Sequence, residues 1–130
     1  METSGKNVIL HVDDNETHRY TVSKLLQRAG YHVIEARNAG EALLHSESHP
    51  ATIHLLLTDV VMPRMSGREL AERLLRVRPT MKVLYMSGYT NDSVVRHGIL
   101  DSTIAFIQKP ITPDTLARKV REALASGDHA

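Results

Sequence analysis

The sequence predicts an α/β protein, a five-stranded parallel sheet covered by helices on both faces. Three observations carry this. Short aliphatic runs at residues 7–12, 32–36, 53–58, 82–86 and 104–108 have the length of buried strands rather than of helices. The stretches that follow each run repeat apolar residues at helical spacing. Strand and helix alternate along the whole chain, as parallel strands joined by right-handed crossover helices require.

The elements follow in order. Residues 7–12 form the first strand, bounded by Asp13 and Asp14. Residues 16–28 carry Tyr20, Val22, Leu25 and Leu26, continued by Ala29, on a helix that Gly30 is suited to cap. The second strand, 32–36, leads to a helix at 39–48 with Ala39, Ala42 and Leu43 on one side, closed by Pro50. After the third strand, Ser66-Gly67 opens a helix running to about residue 77, and Pro79 ends it. The fourth strand precedes a short, weak helix at 91–98. The fifth strand precedes a last helix at 113–125, with Pro113 at its start and Leu116, Val120 and Leu124 facing inward. The natural arrangement of five such units is a flavodoxin-like three-layer sandwich with strand order 2-1-3-4-5. One domain is expected over residues 1–130, with its core at about 6–125, because no repeat, low-complexity segment or linker interrupts the pattern.

Composition narrows the function classes. With 42% hydrophobic and 24% charged residues, the chain has the balance of a soluble globular protein. A net charge of +1 and the lack of any basic run give no footprint for direct nucleic-acid binding. Cysteine is absent, which removes disulfides, thiolate nucleophiles and Cys-ligated zinc together. No apolar stretch is long enough to span a bilayer, and the first residues lack the apolar region of a signal peptide. A cytoplasmic location without membrane contact is expected.

Chemistry concentrates at strand ends. Asp59 closes the run Leu55-Leu56-Leu57-Thr58, Asp13 and Asp14 close the first strand, and Lys109 closes the fifth. In open α/β sheets this edge holds the ligand crevice. Three carboxylates in a confined space repel one another unless a cation or proton compensates them. An all-oxygen site of this kind suits Mg²⁺ or Mn²⁺. Lys109 can hold a phosphoryl oxygen, and Ser87 with Gly88 adds a hydroxyl and a closely approaching amide. Aspartate is a competent nucleophile for phosphoryl groups, so phosphoryl transfer is the expected chemistry.

Taken jointly and in order, Asp13-Asp14, Asp59 with Met62-Pro63 and Gly67, Ser87-Gly88 and Lys109-Pro110 resemble the receiver domains of two-component response regulators. The resemblance covers nearly the whole chain. It implies that Asp59 is the phosphoacceptor and that Asp14, Asp59 and the backbone carbonyl of Val61 hold Mg²⁺ or Mn²⁺, with Asp13 contributing directly or through water. It implies that Ser87, Lys109 and the amides of Val61 and Gly88 contact the phosphoryl oxygens, and that the Lys109-Pro110 bond is cis. Phe106 matches a switch aromatic coupled to Ser87. Phosphorylation would then reshape the surface of the fourth helix, fifth strand and fifth helix. The partners implied are a histidine kinase or a histidine phosphotransfer domain, with output through a downstream protein. The segments 83–90 and 106–113 are similar to receivers at the C-termini of hybrid sensor histidine kinases, so an excised kinase domain and a stand-alone regulator are both open contexts. The isolated domain would not be an enzyme beyond its own phosphorylation and dephosphorylation. Val61 and Tyr89, two residues beyond Asp59 and Ser87, are not obvious water-positioning bases, so slow dephosphorylation is expected.

Plainer readings compete. Asp13-Asp14 before a helix can be a cap, Ser87-Gly88 a turn, Lys109 a surface lysine and Phe106 core packing. The eight histidines show no metal-ligand pattern and are read as incidental, with His18 the one near the acids. A haloacid-dehalogenase-type phosphohydrolase would want Asp-x-Asp after the first strand and a cap insertion. A flavodoxin-like cofactor carrier would want a glycine- or hydroxyl-rich phosphate loop where this chain has Asp13-Asp14-Asn15-Glu16. A phosphorylation-independent interaction module with the same fold is the remaining alternative.

Overall fold

The aliphatic runs become strands in the computed structural model, which describes residues 6–88 and 105–126. In chain order the elements are β1 (Val8–Val12), α1 (Glu16–Arg28), β2 (His32–Ala36), α2 (Ala39–Ser48), β3 (Leu55–Asp59), α3 (Gly67–Val77), β4 (Lys82–Ser87), β5 (Phe106–Gln108) and α4 (Pro113–Ala125). The helix expected at 91–98 lies outside the described residues. All neighbouring strands are parallel, in the predicted order β2-β1-β3-β4-β5.

Each strand alternates its side chains between two cores. Leu10, Val12, Leu56 and Tyr85 pack with Ala42 of α2 and Leu70, Ala71 and Leu74 of α3. Ile9, Leu55, Leu57, Leu84 and Ile107 pack on the other face with Val22 and Leu26 of α1 and Leu116 and Val120 of α4. Every residue of β3 is buried, as a central strand covered on both sides must be. Among the described residues no helix is long and apolar enough to cross a membrane.

The boundaries carry small corrections. β3 starts at Leu55 rather than 53 and continues through Asp59, because Asp59 still pairs with Met86 in register. Tyr20 does not join the buried stripe of α1; it is 61% exposed, with the Lys24 ammonium 5.4 Å from its ring centre. Two residues of helix rotate a side chain by roughly 200°, so Tyr20 faces away when Val22 faces the sheet. On α4, Ala123 is buried and Leu124 packs half-buried at the rim of the core.

Helix ends are tied by local bonds. Asn15, Asn38, Ser66 and Thr112 cap the four described helices, and Ser66 with Glu69 forms a reciprocal capping box. Arg78, just past α3, donates to Ser46 Oγ and to the carbonyls of Ser46, His49 and Ala51, which pins the end of α3 to the end of α2. After α1 the chain reverses at Gly30, whose φ is +99°. The Gly30 amide bonds to Gln27 and the Tyr31 amide to Leu26, a Schellman closure. A Cβ at Gly30 would touch nothing within 4 Å, so the left-handed backbone is the whole constraint. Gly30→Ala is expected to lower stability by about 1 kcal/mol in urea unfolding. An unchanged midpoint would contradict this.

Candidate functional site

The parallel strand order brings four C-terminal strand ends to one edge. Asp13 and Asp14 follow β1, Asp59 ends β3, Ser87 ends β4 and Lys109 follows β5. These residues, with Val61 and Gly88, line one cavity of about 290 Å³. Seven of the eight predicted site residues therefore converge. Phe106 does not line the cavity; it is half-buried on β5, opposite Tyr85 in register, and packs against the core on the α2–α3 side. A larger groove of about 650 Å³ between α2 and α3 contains no group of three possible metal ligands among the described residues, so size does not mark the site.

Asp13, Asp14 and Asp59 each offer a carboxylate oxygen, all within 4.8 Å of one another. Asp13 and Asp59 are buried, whereas Asp14 is exposed at the mouth. Neither acid of the pair caps α1. That position belongs to Asn15, whose side chain accepts from the His18 amide at 2.9 Å, and the acids are left for the crevice. Lys109 Nζ lies 2.7 Å from Asp59 Oδ1. That contact is an ion pair, and no directed hydrogen bond satisfies this buried oxygen.

The charges settle unequally. Burial pushes the Asp59 carboxyl up to about 7; Asp13 adds to the rise, while Lys109 opposes it. Burial also works against ionised Asp13, yet hydrogen bonds from His18, Asp59 and the Asn15 amide outweigh it and hold its pKa below the usual range. Of the two acids, Asp59 is therefore the one that takes up a proton first as pH falls. A buried oxygen without a directed hydrogen bond and three converging oxygen donors fit a hard divalent cation such as Mg²⁺ or Mn²⁺.

Supporting bonds fix these groups. The Lys109-Pro110 peptide is cis, as expected, and the Lys109 amide donates to the Ser87 carbonyl at 2.7 Å. Arg19 Nη1 donates to the Asp13 carbonyl at 2.8 Å. The Gly67 amide donates to the Val60 carbonyl at 2.8 Å, which docks the start of α3 under the end of β3.

The reading of the histidines as incidental needs correction. His18 contacts Asp13 Oδ2 through Nδ1. His11 is fully buried, with Nδ1 2.9 Å from Ser23 Oγ, and burial lowers its pKa to about 4, so the ring is neutral. His54 Nδ1 accepts the Val8 amide at 2.9 Å. The signal for His18 was its place three residues after the cap Asn15, in the first turn beside the acids.

Residues 9–121 match the response regulator receiver domain family. The chain belongs to this family. The receiver is 34% identical over 127 residues to the sensor kinase CckA of Brucella abortus (strain 2308), an alignment covering 98% of this chain and 13% of the kinase. It is 40% identical over 84 residues to the response regulator receiver protein CpdR of the same organism, covering 65% of this chain and 68% of that protein. The receiver thus corresponds to a small part of the kinase and to about two thirds of CpdR. The crystal structure of the receiver domain from the hybrid histidine kinase CckA aligns with TM-score 0.76 at 34% identity, covering 91% of this chain and 99% of that one. The chemotaxis protein CheY4 of Vibrio cholerae aligns with TM-score 0.78 at 28% identity, covering 92% of this chain and 99% of that one.

Proposed function

We propose that this receiver accepts a phosphoryl group on Asp59 from a phosphohistidine of a histidine kinase or histidine phosphotransfer domain. The observation that carries the reading is the buried Asp59 carboxylate beside Lys109 Nζ, within reach of two further carboxylates at one crevice. Asp13, Asp14, Asp59 and the Val61 backbone carbonyl would hold Mg²⁺ or Mn²⁺. The bound cation supplies charge neutralisation for the transferring phosphoryl group.

The chain's own groups do the remainder. Asp59 must be ionised for its oxygen to attack phosphorus. Its O–P bond then forms as the N–P bond of the phosphohistidine breaks, and the imidazole leaves. Lys109, already placed against Asp59, stays to hold a phosphoryl oxygen. Ser87 and the amides of Val61 and Gly88 hold the others. Phe106, half-buried next to the core, would follow Ser87 as the switch residue, and a downstream protein would read the changed surface.

The test is intact mass after incubation with acetyl phosphate and Mg²⁺. Wild type is expected to gain one phosphoryl group of about 80 Da, and Asp59→Asn or EDTA to abolish the gain. A phosphate that persists in Asp59→Asn would overturn the assignment. The exposed, aliphatic Val61 offers no side-chain acceptor to hold an attacking water. The acyl phosphate is therefore expected to last minutes or longer, and decay within seconds would contradict that role for the site.

A further inference from the structure

Asp13 has no solvent exposure, and groups of the chain itself orient its carboxylate. The Asn15 amide donates to Oδ1 at 3.0 Å, and His18 Nδ1 meets Oδ2. An ionised carboxylate only accepts hydrogen bonds, so Nδ1 carries the shared hydrogen. The His18 main chain is anchored by the bond from its amide to the Asn15 cap, and its side chain is only 25% exposed. Each carboxylate oxygen keeps a second lone pair beyond the bond it accepts. Asp13 can therefore meet a cation while both donors continue to hold it.

We propose that His18 is a positioning residue of the cation site, whose N–H aims the Asp13 carboxylate at the space shared with Asp59 and thereby sets cation affinity. The inference rests on the reading of Asp13, Asp14 and Asp59 as cation ligands. Donors that orient ligating groups are worth roughly 10- to 100-fold in metal affinity. A neutral imidazole is sufficient, because the contribution is one of direction rather than charge.

The probe is Mn²⁺, titrated into the full chain at about pH 8, with free ion read by electron paramagnetic resonance. His18→Leu keeps bulk and removes the donor. His18→Asn restores an N–H attached to Cγ, as Nδ1 is. Weakening of at least about 10-fold is expected in His18→Leu, with His18→Asn within roughly threefold of wild type. Urea unfolding in EDTA reads fold stability separately. Wild-type affinity in His18→Leu would overturn the proposal alone, leaving the cation site standing. Equal weakening in both variants would also overturn it, since a structural role needs no donor. Absence of Mn²⁺ binding by wild type would instead remove the cation reading, and this proposal with it.

Discussion

Replacing Asp59 by asparagine is expected to stabilise the cation-free receiver at about pH 8 and to make little difference near pH 4. Burial raises the folded-state pKa of Asp59 from 3.8 to about 7, so the folded chain holds this proton more tightly than the unfolded chain does. Its favourable contribution is complete below the unfolded value and is lost as pH rises through about 7. At about 1.4 kcal/mol per pH unit, the rise from 3.8 to about 7 sets a ceiling of roughly 4 kcal/mol. Asparagine stays neutral throughout and can still donate to Asp13. It forfeits the ion pair with Lys109, whose side chain is 32% exposed, so the net gain falls below the ceiling. Urea unfolding of both proteins in EDTA at several pH values measures this directly. Equal stabilities at about pH 8 would sink it. Saturating Mg²⁺ should narrow the gap by stabilising wild type, by about 2.7 kcal/mol at a hundredfold excess over its dissociation constant. The same linkage makes cation binding release a proton from the Asp13–Asp59 pair, with affinity falling as pH drops below about 7.

The architecture was legible because its signals were redundant. Each strand is a short aliphatic run, and each described helix has its own cap and buried stripe. The acids and Lys109 could be located because strand ends in a parallel sheet share one edge, so ordinary sequence position reports spatial position. Features set by cross-chain geometry were less legible. The end of β3 depends on Asp59 pairing with Met86, which no local pattern encodes. His11 looks like a polar interruption of an apolar strand until Ser23, twelve residues on, is brought against it. The bond from His18 to Asp13 depends on which of three consecutive polar residues caps α1. Once Asn15 takes that role, the Asp13 side chain is released to the crevice and His18 is brought over it.

Gly67→Ala is expected to damage both fold and site, for a reason unrelated to backbone freedom. A Cβ at this position would lie 2.0 Å from the Asp59 carbonyl oxygen, 3.0 Å from its carbonyl carbon and 3.1 Å from Thr58 Cγ2. Two of these atoms are backbone of the central strand, so no side-chain rotation relieves the overlap. Either α3 must retreat, which stretches the 2.8 Å bond from the Gly67 amide to the Val60 carbonyl, or the end of β3 must move. Retreat also loosens Leu70 and Leu74 from the core, and movement of β3 carries Asp59 away from Lys109. Overpacking of this kind costs about 1–3 kcal/mol, and the rigid backbone on one side puts Gly67→Ala at the upper end. Gly88→Ala is the matched comparison, since a Cβ there meets nothing within 4 Å. Urea unfolding should separate the two substitutions by about 2 kcal/mol or more. The rate of phosphoryl gain from acetyl phosphate, measured where Gly67→Ala is still folded, should fall as well, because a one-ångström displacement of a reacting group can cost about a hundredfold. Equal stability in the two variants would mean that β3 and α3 separate more easily than the contact at Asp59 implies.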